Sequence, residues 1–217
     1  MRLDNAAHRH DHWYARLFAL GYDPFMRKFE DRILAKYRKQ LLAPLRGKVL
    51  EIGAGTGVNF PFYPSGAEVW AIEPSSSMMD RARKKLEAHP PSADIRLILA
   101  GVHDPDLDTL IQQAQPFDAI VCTLVLCTIP DAGQAVADIK RWLKPGGNLL
   151  LLEHIHAPHA PMRHWQNWLN PVWKTFGEGC NLNRPTDQTL REYGFIPEWE
   201  HYFTKGLPFY VAVGKFT

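Results

Sequence analysis

Val49-Leu50-Glu51-Ile52-Gly53-Ala54-Gly55-Thr56-Gly57 decides the fold class of this chain. An apolar run ends on a carboxylate, and three glycines follow at alternate positions. The pattern predicts a buried strand that runs into a tight turn free of side chains, and the turn opens a helix. Glycine belongs where the backbone takes positive φ or lies against a ligand. The turn therefore suits a nucleotide-like cofactor.

Downstream of this stretch the sequence alternates strand and helix. Strands are expected at 48–52, 68–72, 95–99, 118–122 and 148–153, and helices at 75–88, 104–115, 132–143 and 186–193. Serines open the helix at 75–88, and Lys84, Lys85 and His89 sit near its end, where the helix dipole favours positive charge. Asp131, with Gln134 three residues on, caps the helix at 132–143, and Lys144-Pro145-Gly146-Gly147 stops it. Thr186 is expected to cap the last helix. Such alternation predicts an α/β fold with a parallel, doubly wound sheet. Residues 196–203 and 208–216 alternate apolar and polar positions, predicting an antiparallel β-hairpin at one edge of the sheet.

Two segments lie outside this rhythm. Residues 13–42 place Phe25, Phe29, Ile33 and Tyr37 at helical spacing among Arg and Lys, as in an amphipathic helix. Three readings stay open for it: packing on the sheet, capping a substrate site, or peripheral contact with a membrane surface. Residues 154–185 carry Trp165, Trp168 and Trp173 on a helical face, suited either to walling an apolar substrate or to core packing. The expected organisation is a helical cap segment, 1–42, followed by one domain, 43–217, that contains a second cap insertion at 154–185.

Composition narrows the function classes. The 217 residues are 46% hydrophobic and 22% charged, ordinary values for a globular chain. A net charge of +2 is too mild to point to nucleic acid. Cys122, Cys127 and Cys180 form neither an even framework nor a C-x-x-C pair, which fits a reduced, cytoplasmic setting. No signal peptide is expected, and no apolar run is long enough to span a bilayer. His8, His10 and His12 lack matching ligands at zinc spacing, so no metal is expected. A small-molecule substrate without an obligate protein partner is the expectation.

Ligands of such sheets sit at the carboxyl ends of the strands. A dinucleotide needs G-x-G-x-x-G, but Val58 occupies the sixth position here. Glu51, just ahead of the turn, opposes a phosphate and favours a cation. S-adenosylmethionine carries an α-amino group and a sulfonium and no phosphate. Glu51 can hold the amino group directly or through water, while the turn amides can receive the carboxylate. Glu73, twenty residues after Gly53, can accept both ribose hydroxyls. Leu99-Ala100-Gly101-Val102-His103 is placed to meet the adenine, and the segment from Cys122 to Cys127 the methyl end.

This ordered set is similar to the class I S-adenosylmethionine-dependent methyltransferases. That resemblance implies a Rossmann-like, seven-stranded sheet with a reversed C-terminal hairpin. The runs 57–64, 121–127, 153–154 and 177–180, continuing through Arg184 and Thr186, resemble the methyltransferase-like-7 group, thiol S-methyltransferases associated with membranes in animals. The chain departs from that group in its polar, His-rich start and in its 181–185 run. It also departs from many class I enzymes at Val102, where they carry an Asp.

The cofactor-binding set read from these motifs is Glu51, Gly53, Ala54, Gly55, Gly57, Asn59, Glu73, Pro74, Met78, Gly101, Val102, His103, Thr123 and Leu124. Methyl transfer from a sulfonium is an in-line displacement, so the protein mainly orients the partners and excludes water. A thiol, with a pKa of roughly 8.5, is partly ionised at neutral pH and needs little base assistance, whereas an amine needs more. His154, directly after the fifth strand, is the candidate catalytic residue, against the alternative of a structural histidine. Tyr14, Tyr22, Cys127, Trp165, Cys180 and Arg184 are the candidates for the substrate pocket, with Arg184 free to hold a substrate anion or to pair with Glu178. The acceptor reads as a thiol or similar soft nucleophile. An amine or phospholipid headgroup, or a non-catalytic cofactor-binding module, are the alternatives.

Overall fold

The computed structural model describes residues 33–114, 116–177 and 179–217. Expectations placed on residues 1–32, including Tyr14, Tyr22, the alternating histidines and most of the amphipathic segment, lie outside the described residues. The chain forms two compact units, Met1–Ala119 and Ile120–Thr217. Among the described residues, β1 (Gly47–Ile52), β2 (Ala67–Glu73), β3 (Asp94–Leu99), β4 (Phe117–Thr123), β5 (Leu143–His154), β6 (Phe195–Lys205) and β7 (Leu207–Phe216) form one sheet ordered β3-β2-β1-β4-β5-β7-β6, the expected Rossmann-like arrangement with a C-terminal antiparallel hairpin.

The first unit holds α1 (Ala35–Leu42), β1 (Gly47–Ile52), β2 (Ala67–Glu73), α2 (Ser76–Ala88), β3 (Asp94–Leu99) and α3 (Pro105–Ala114). Val49, Leu50 and Ile52 are buried, and the β1–β2 pairing is parallel with Glu51 opposite Ala71 and Ile52 opposite Ile72. β2 pairs in parallel with β3, Glu73 opposite Leu99. These registers bring the carboxyl ends of β1 and β2 level, with Glu51 and Glu73 at those ends. Ser75 caps α2 by accepting the Met78 amide at 3.4 Å. In α1 the buried stripe is Leu34, Arg38, Leu41 and Leu42. It therefore runs beside the Ile33–Tyr37 stripe suggested by apolar spacing, because Arg38 has a buried partner.

One expectation fails here. No α-helix follows the glycine turn; the chain passes through a single 3-10 turn, Phe60–Phe62, before β2. Pro61 and Pro64 lack the amide a helix would need. Gly57 adopts φ +75°, and a Cβ there would collide with the Phe60 ring.

β4 (Phe117–Thr123) crosses the boundary between the units. The second unit then holds α4 (Ala132–Trp142), β5 (Leu143–His154), α5 (Ala160–Phe176), α6 (Thr186–Glu192), β6 (Phe195–Lys205) and β7 (Leu207–Phe216). Asp131 caps α4, accepting the Gln134 amide at 2.9 Å. The 144–147 stretch ends the helix but belongs to β5, which starts at Leu143 rather than at 148. The last cap also differs: Pro185 holds that position, and Thr186 is the first helical residue, its buried Oγ1 unpartnered among the described residues. β5 and β7 pair antiparallel, as do β6 and β7, with a register shift between Pro197 and Trp199.

The 154–185 segment is built around Gln166 rather than around its tryptophans. Gln166 is fully buried on α5; it donates to Ile155 O at 3.0 Å and Leu182 O at 2.9 Å, and accepts the Ala157 amide at 2.7 Å. Trp165, Trp168 and Trp173 remain 46%, 77% and 39% exposed, so core packing is not their role. No helix among the described residues is long and apolar enough to cross a membrane.

Candidate active site

The first unit carries a glycine turn with its amides already engaged. Gly53 and Ala54 donate to Ile72 O, each at 3.0 Å, and Gly57 donates to Ala54 O at 2.9 Å. Gly55, at φ +56°, donates to Glu73 Oε2 at 2.9 Å. The other Glu73 oxygen accepts the Ser75 amide at 2.9 Å. These four amides are engaged within the protein. Glu73 is locked between two main-chain donors on either side of β2's end.

Glu51 is embedded. Its oxygens accept Asn59 Nδ2 at 2.7 Å and the Tyr63 hydroxyl at 3.1 Å, and Asn59 Oδ1 in turn accepts Arg38 Nη1 at 2.5 Å. Burial raises the Glu51 carboxyl to about 7, against the pull of Asn59, Tyr63 and Arg38. Its first role in the geometry is to tie β1 to the 59–63 segment. Arg38 and Tyr63 were missed as site residues because each reads in isolation as an ordinary surface base or core aromatic. Met78 and Val102 are buried, Gly101 is half-buried and His103 is exposed.

The second unit carries a carboxylate and a sulfur–imidazole cluster at the end of β5. Glu153 is fully buried, and its Oε1 accepts the amides of Val125 at 2.9 Å and Leu126 at 3.1 Å. Those donors converge because Leu124 turns the chain at φ 55°, while its own amide bonds Leu152 O at 2.9 Å. Burial lifts the Glu153 carboxyl to about 7, and its Oε2 has no partner among the described residues. Sequence reasoning assigned Glu153 no role. The signal was there: it ends an apolar run, Leu149–Leu152, just as Glu51 ends its own.

His154, Cys127 and Cys180, separately expected at the site, are brought together. His154 Nε2 lies 3.1 Å from Cys180 Sγ, and Cys180 Sγ lies 3.5 Å from Cys127 Sγ. The Cys127 sulfur beside it, with His154 and Trp173, pulls the Cys180 thiol down to about 4 despite burial. The same pairing and burial push Cys127 well above its ordinary value. Burial opposes charging His154, but Cys180 and Glu153 outweigh it and raise the imidazole above its ordinary value. The arrangement sets an imidazole and an acidified thiol in hydrogen-bond contact, with a second thiol alongside.

Arg184 Nη1 donates to the carbonyls of Leu126 and Ile129, closing the loop after β4, and its alternative partner Glu178 lies outside the described residues. Thr123 is buried, whereas Trp165, expected in the pocket, is about half exposed.

A family model described as a methyltransferase domain matches residues 26–195. The chain belongs to the methyltransferase-domain family. It is of the class I type, whose methyl donor is S-adenosylmethionine. It is 34% identical over 164 residues to thiol S-methyltransferase TMT1B of Rattus norvegicus, covering 74% of this chain and 66% of that protein. It is 28% identical to phosphatidylethanolamine N-methyltransferase of Cereibacter sphaeroides, over 60% of this chain and 62% of that protein. The chain thus spans about two thirds of the length of these curated relatives. Among solved structures, N-methyltransferase NodS of Bradyrhizobium japonicum, in complex with S-adenosyl-L-homocysteine, superposes with a TM-score of 0.61 at 17% identity, covering 87% of both chains. At that identity the likeness concerns the fold.

Proposed function

We propose that this methyltransferase moves the methyl group of S-adenosylmethionine to a small-molecule thiol or similar soft nucleophile. The observation that carries the reading is the convergence of Cys127, His154 and Cys180 at the end of β5. A site lined by two sulfurs and an imidazole, with Cys180 half-buried, suits a sulfur nucleophile, which ionises readily. The 34% identity to a thiol S-methyltransferase supports the same acceptor class.

In this reading Glu73 accepts the ribose hydroxyls, oriented by Gly55 and Ser75. Gly53, Ala54, Gly57, Pro74 and Met78 line the cofactor, while Gly101, Val102 and His103 border the adenine. Glu51 and Asn59 hold the turn and meet the cofactor's amino group from within their hydrogen-bonded set. The acceptor sulfur attacks the methyl carbon opposite the sulfonium. The new C–S bond forms as the old one breaks, its electron pair staying on the cofactor sulfur to give a neutral thioether. The thiol proton is released before attack.

A second reading, N-methylation of an amine or phospholipid headgroup, is favoured by the likeness to phosphatidylethanolamine N-methyltransferase. Incubating the protein with labelled S-adenosylmethionine and a panel of small thiols, amines, phenols and ethanolamine-headgroup vesicles separates the two. Label transfer to thiols is expected; transfer confined to amines or vesicles overturns the thiol reading.

A further inference from the structure

The strongest unassigned feature of the second unit is that three soft donors from distant parts of the chain share one small volume. Cys127 Sγ, His154 Nε2 and Cys180 Sγ all lie within 4.8 Å of one another, Cys127 and His154 buried and Cys180 half-buried. Zinc bonded to sulfur at about 2.3 Å and to nitrogen at about 2.0 Å in a tetrahedron sets its sulfur and nitrogen ligands about 3.5 Å apart and two sulfurs about 3.8 Å apart. Two of the observed separations, 3.1 Å for His154–Cys180 and 3.5 Å for Cys180–Cys127, differ from those by a few tenths of an ångström, and the third pair, His154 and Cys127, lies within 4.8 Å and closes toward the metal on binding.

The scaffold around the donors is already fixed. His154 is anchored in β5 by pairing with Phe209 of β7. Cys127 lies in the loop that Glu153 and Arg184 clamp from two sides. Cys180 is tied to the same loop, because the Asn181 amide and its Nδ2 both bond Cys127 O, at 3.0 Å and 2.9 Å. Cys180 also follows Gly179, at φ +89°, so the chain turns sharply just before this ligand. The His154 Nδ1 is buried and unpartnered among the described residues, which leaves Nε2 as the nitrogen directed at the sulfurs.

We propose that Cys127, His154 and Cys180 form a binding site for a thiophilic divalent cation such as Zn²⁺, with the fourth tetrahedral position left for the acceptor thiol. Three protein ligands and one open position is the pattern of catalytic rather than structural zinc. A thiophilic cation takes cysteine as thiolate and histidine as the neutral ring, so binding releases protons, and a coordinated thiol is held as its thiolate. The acceptor then loses its proton to solvent on binding, and its sulfur attacks the methyl carbon with the electron balance given above. The fourth-ligand role rests on the thiol reading of the acceptor; the three-ligand site does not.

Co²⁺, which takes the same tetrahedral geometry and is visible spectroscopically, is the probe. Titrating the apo full-length protein with Co²⁺ is expected to give one equivalent of bound metal with sulfur-to-metal charge-transfer and tetrahedral d–d absorption. C180S should lose at least half of the charge-transfer intensity, C127S a similar share, and H154A should weaken binding at least tenfold. Far-ultraviolet circular dichroism checks that each variant is folded, and the wild-type titration stands independently of them. Adding 2-mercaptoethanol to the Co²⁺ protein should raise the charge-transfer intensity further, by one more thiolate. Absence of tetrahedral Co²⁺ spectra in the wild type, or spectra unchanged in folded C180S and C127S, overturns the site. A three-ligand spectrum that does not respond to thiol overturns the fourth-ligand role. Thiol methylation that proceeds undiminished in chelator-treated, metal-free protein also overturns that role, while leaving the proposed acceptor class standing.

Discussion

Replacing Glu51 with Gln should make the protein more stable at neutral pH and barely change it in acid. The Glu51 carboxyl has no contact with solvent, and burial raises it from 4.5 to about 7. A carboxyl raised on folding holds its proton more tightly in the folded chain. Its contribution is therefore fully favourable below the unfolded value, near 4.5, and is lost as pH rises through the folded value, near 7. The gap of roughly two and a half pH units corresponds to about 3 kcal/mol of destabilisation above neutrality, at about 1.4 kcal/mol per unit. Glutamine is neutral and nearly the same shape. Its carbonyl can accept Asn59 Nδ2, and its amide can donate to the Tyr63 oxygen, so both contacts at 2.7 Å and 3.1 Å survive. Urea unfolding of wild type and E51Q at pH 5, 6, 7 and 8 measures the effect. The stability difference in favour of E51Q should grow by about 2 to 3 kcal/mol across that range. Glu153 titrates in the same window, but it is present in both proteins and cancels in the difference. A difference that does not vary with pH would refute the assignment of the raised value to Glu51.

Glu73→Ala removes the acceptor of the Gly55 and Ser75 amides, and should weaken S-adenosylmethionine binding in calorimetric titration by roughly 1.5–3 kcal/mol per lost bond to a charged acceptor; an unchanged dissociation constant would count against its ribose role. His154→Ala should lower the rate of thiol methylation at least tenfold while shifting cofactor affinity by less than threefold, as read from single-turnover kinetics beside calorimetry; an unaltered rate would make His154 structural. Glu153→Ala leaves the Val125 and Leu126 amides buried without their acceptor and should cost about 2–4 kcal/mol in denaturant unfolding, whereas Glu153→Gln, which keeps a carbonyl toward them, should cost much less. Equal losses in the two Glu153 variants would show that the two amide contacts are not what stabilises the loop.

Much of the frame was legible because its causes are local. The apolar runs ending at Ile52, Glu73 and His154 mark strands, and Ser75 and Asp131 cap helices through amides three residues away. The misreadings have local causes as well. Glycines after a strand suggest a helix N-terminus, but Pro61 and Pro64 within the next few residues leave only a 3-10 turn. Thr186 is a good capping residue, yet Pro185 takes the position and leaves the Thr186 hydroxyl inside. The helical spacing of Trp165, Trp168 and Trp173 left core packing open beside walling a substrate, while in the structure all three are exposed and the helix is held by the polar contacts of Gln166.

By itself, the sequence determined the strand–helix order, the glycine turn with Glu51 and Glu73 at strand ends, and the methyl-donor class that follows from them. Each of these depends on residues a few positions apart, where periodicity, turn chemistry and capping act. Only the tertiary structure decided which distant side chains meet. Arg38 reaches Asn59 across 21 residues, Glu153 holds the Val125 and Leu126 amides 28 and 27 residues away, and Cys180 meets His154 and Cys127 across 26 and 53. These encounters are set by strand register and loop closure, which no local pattern encodes. They turn Glu51 from a carboxylate ahead of a glycine turn into a buried carboxyl raised to about 7, and three scattered residues into one sulfur–imidazole site.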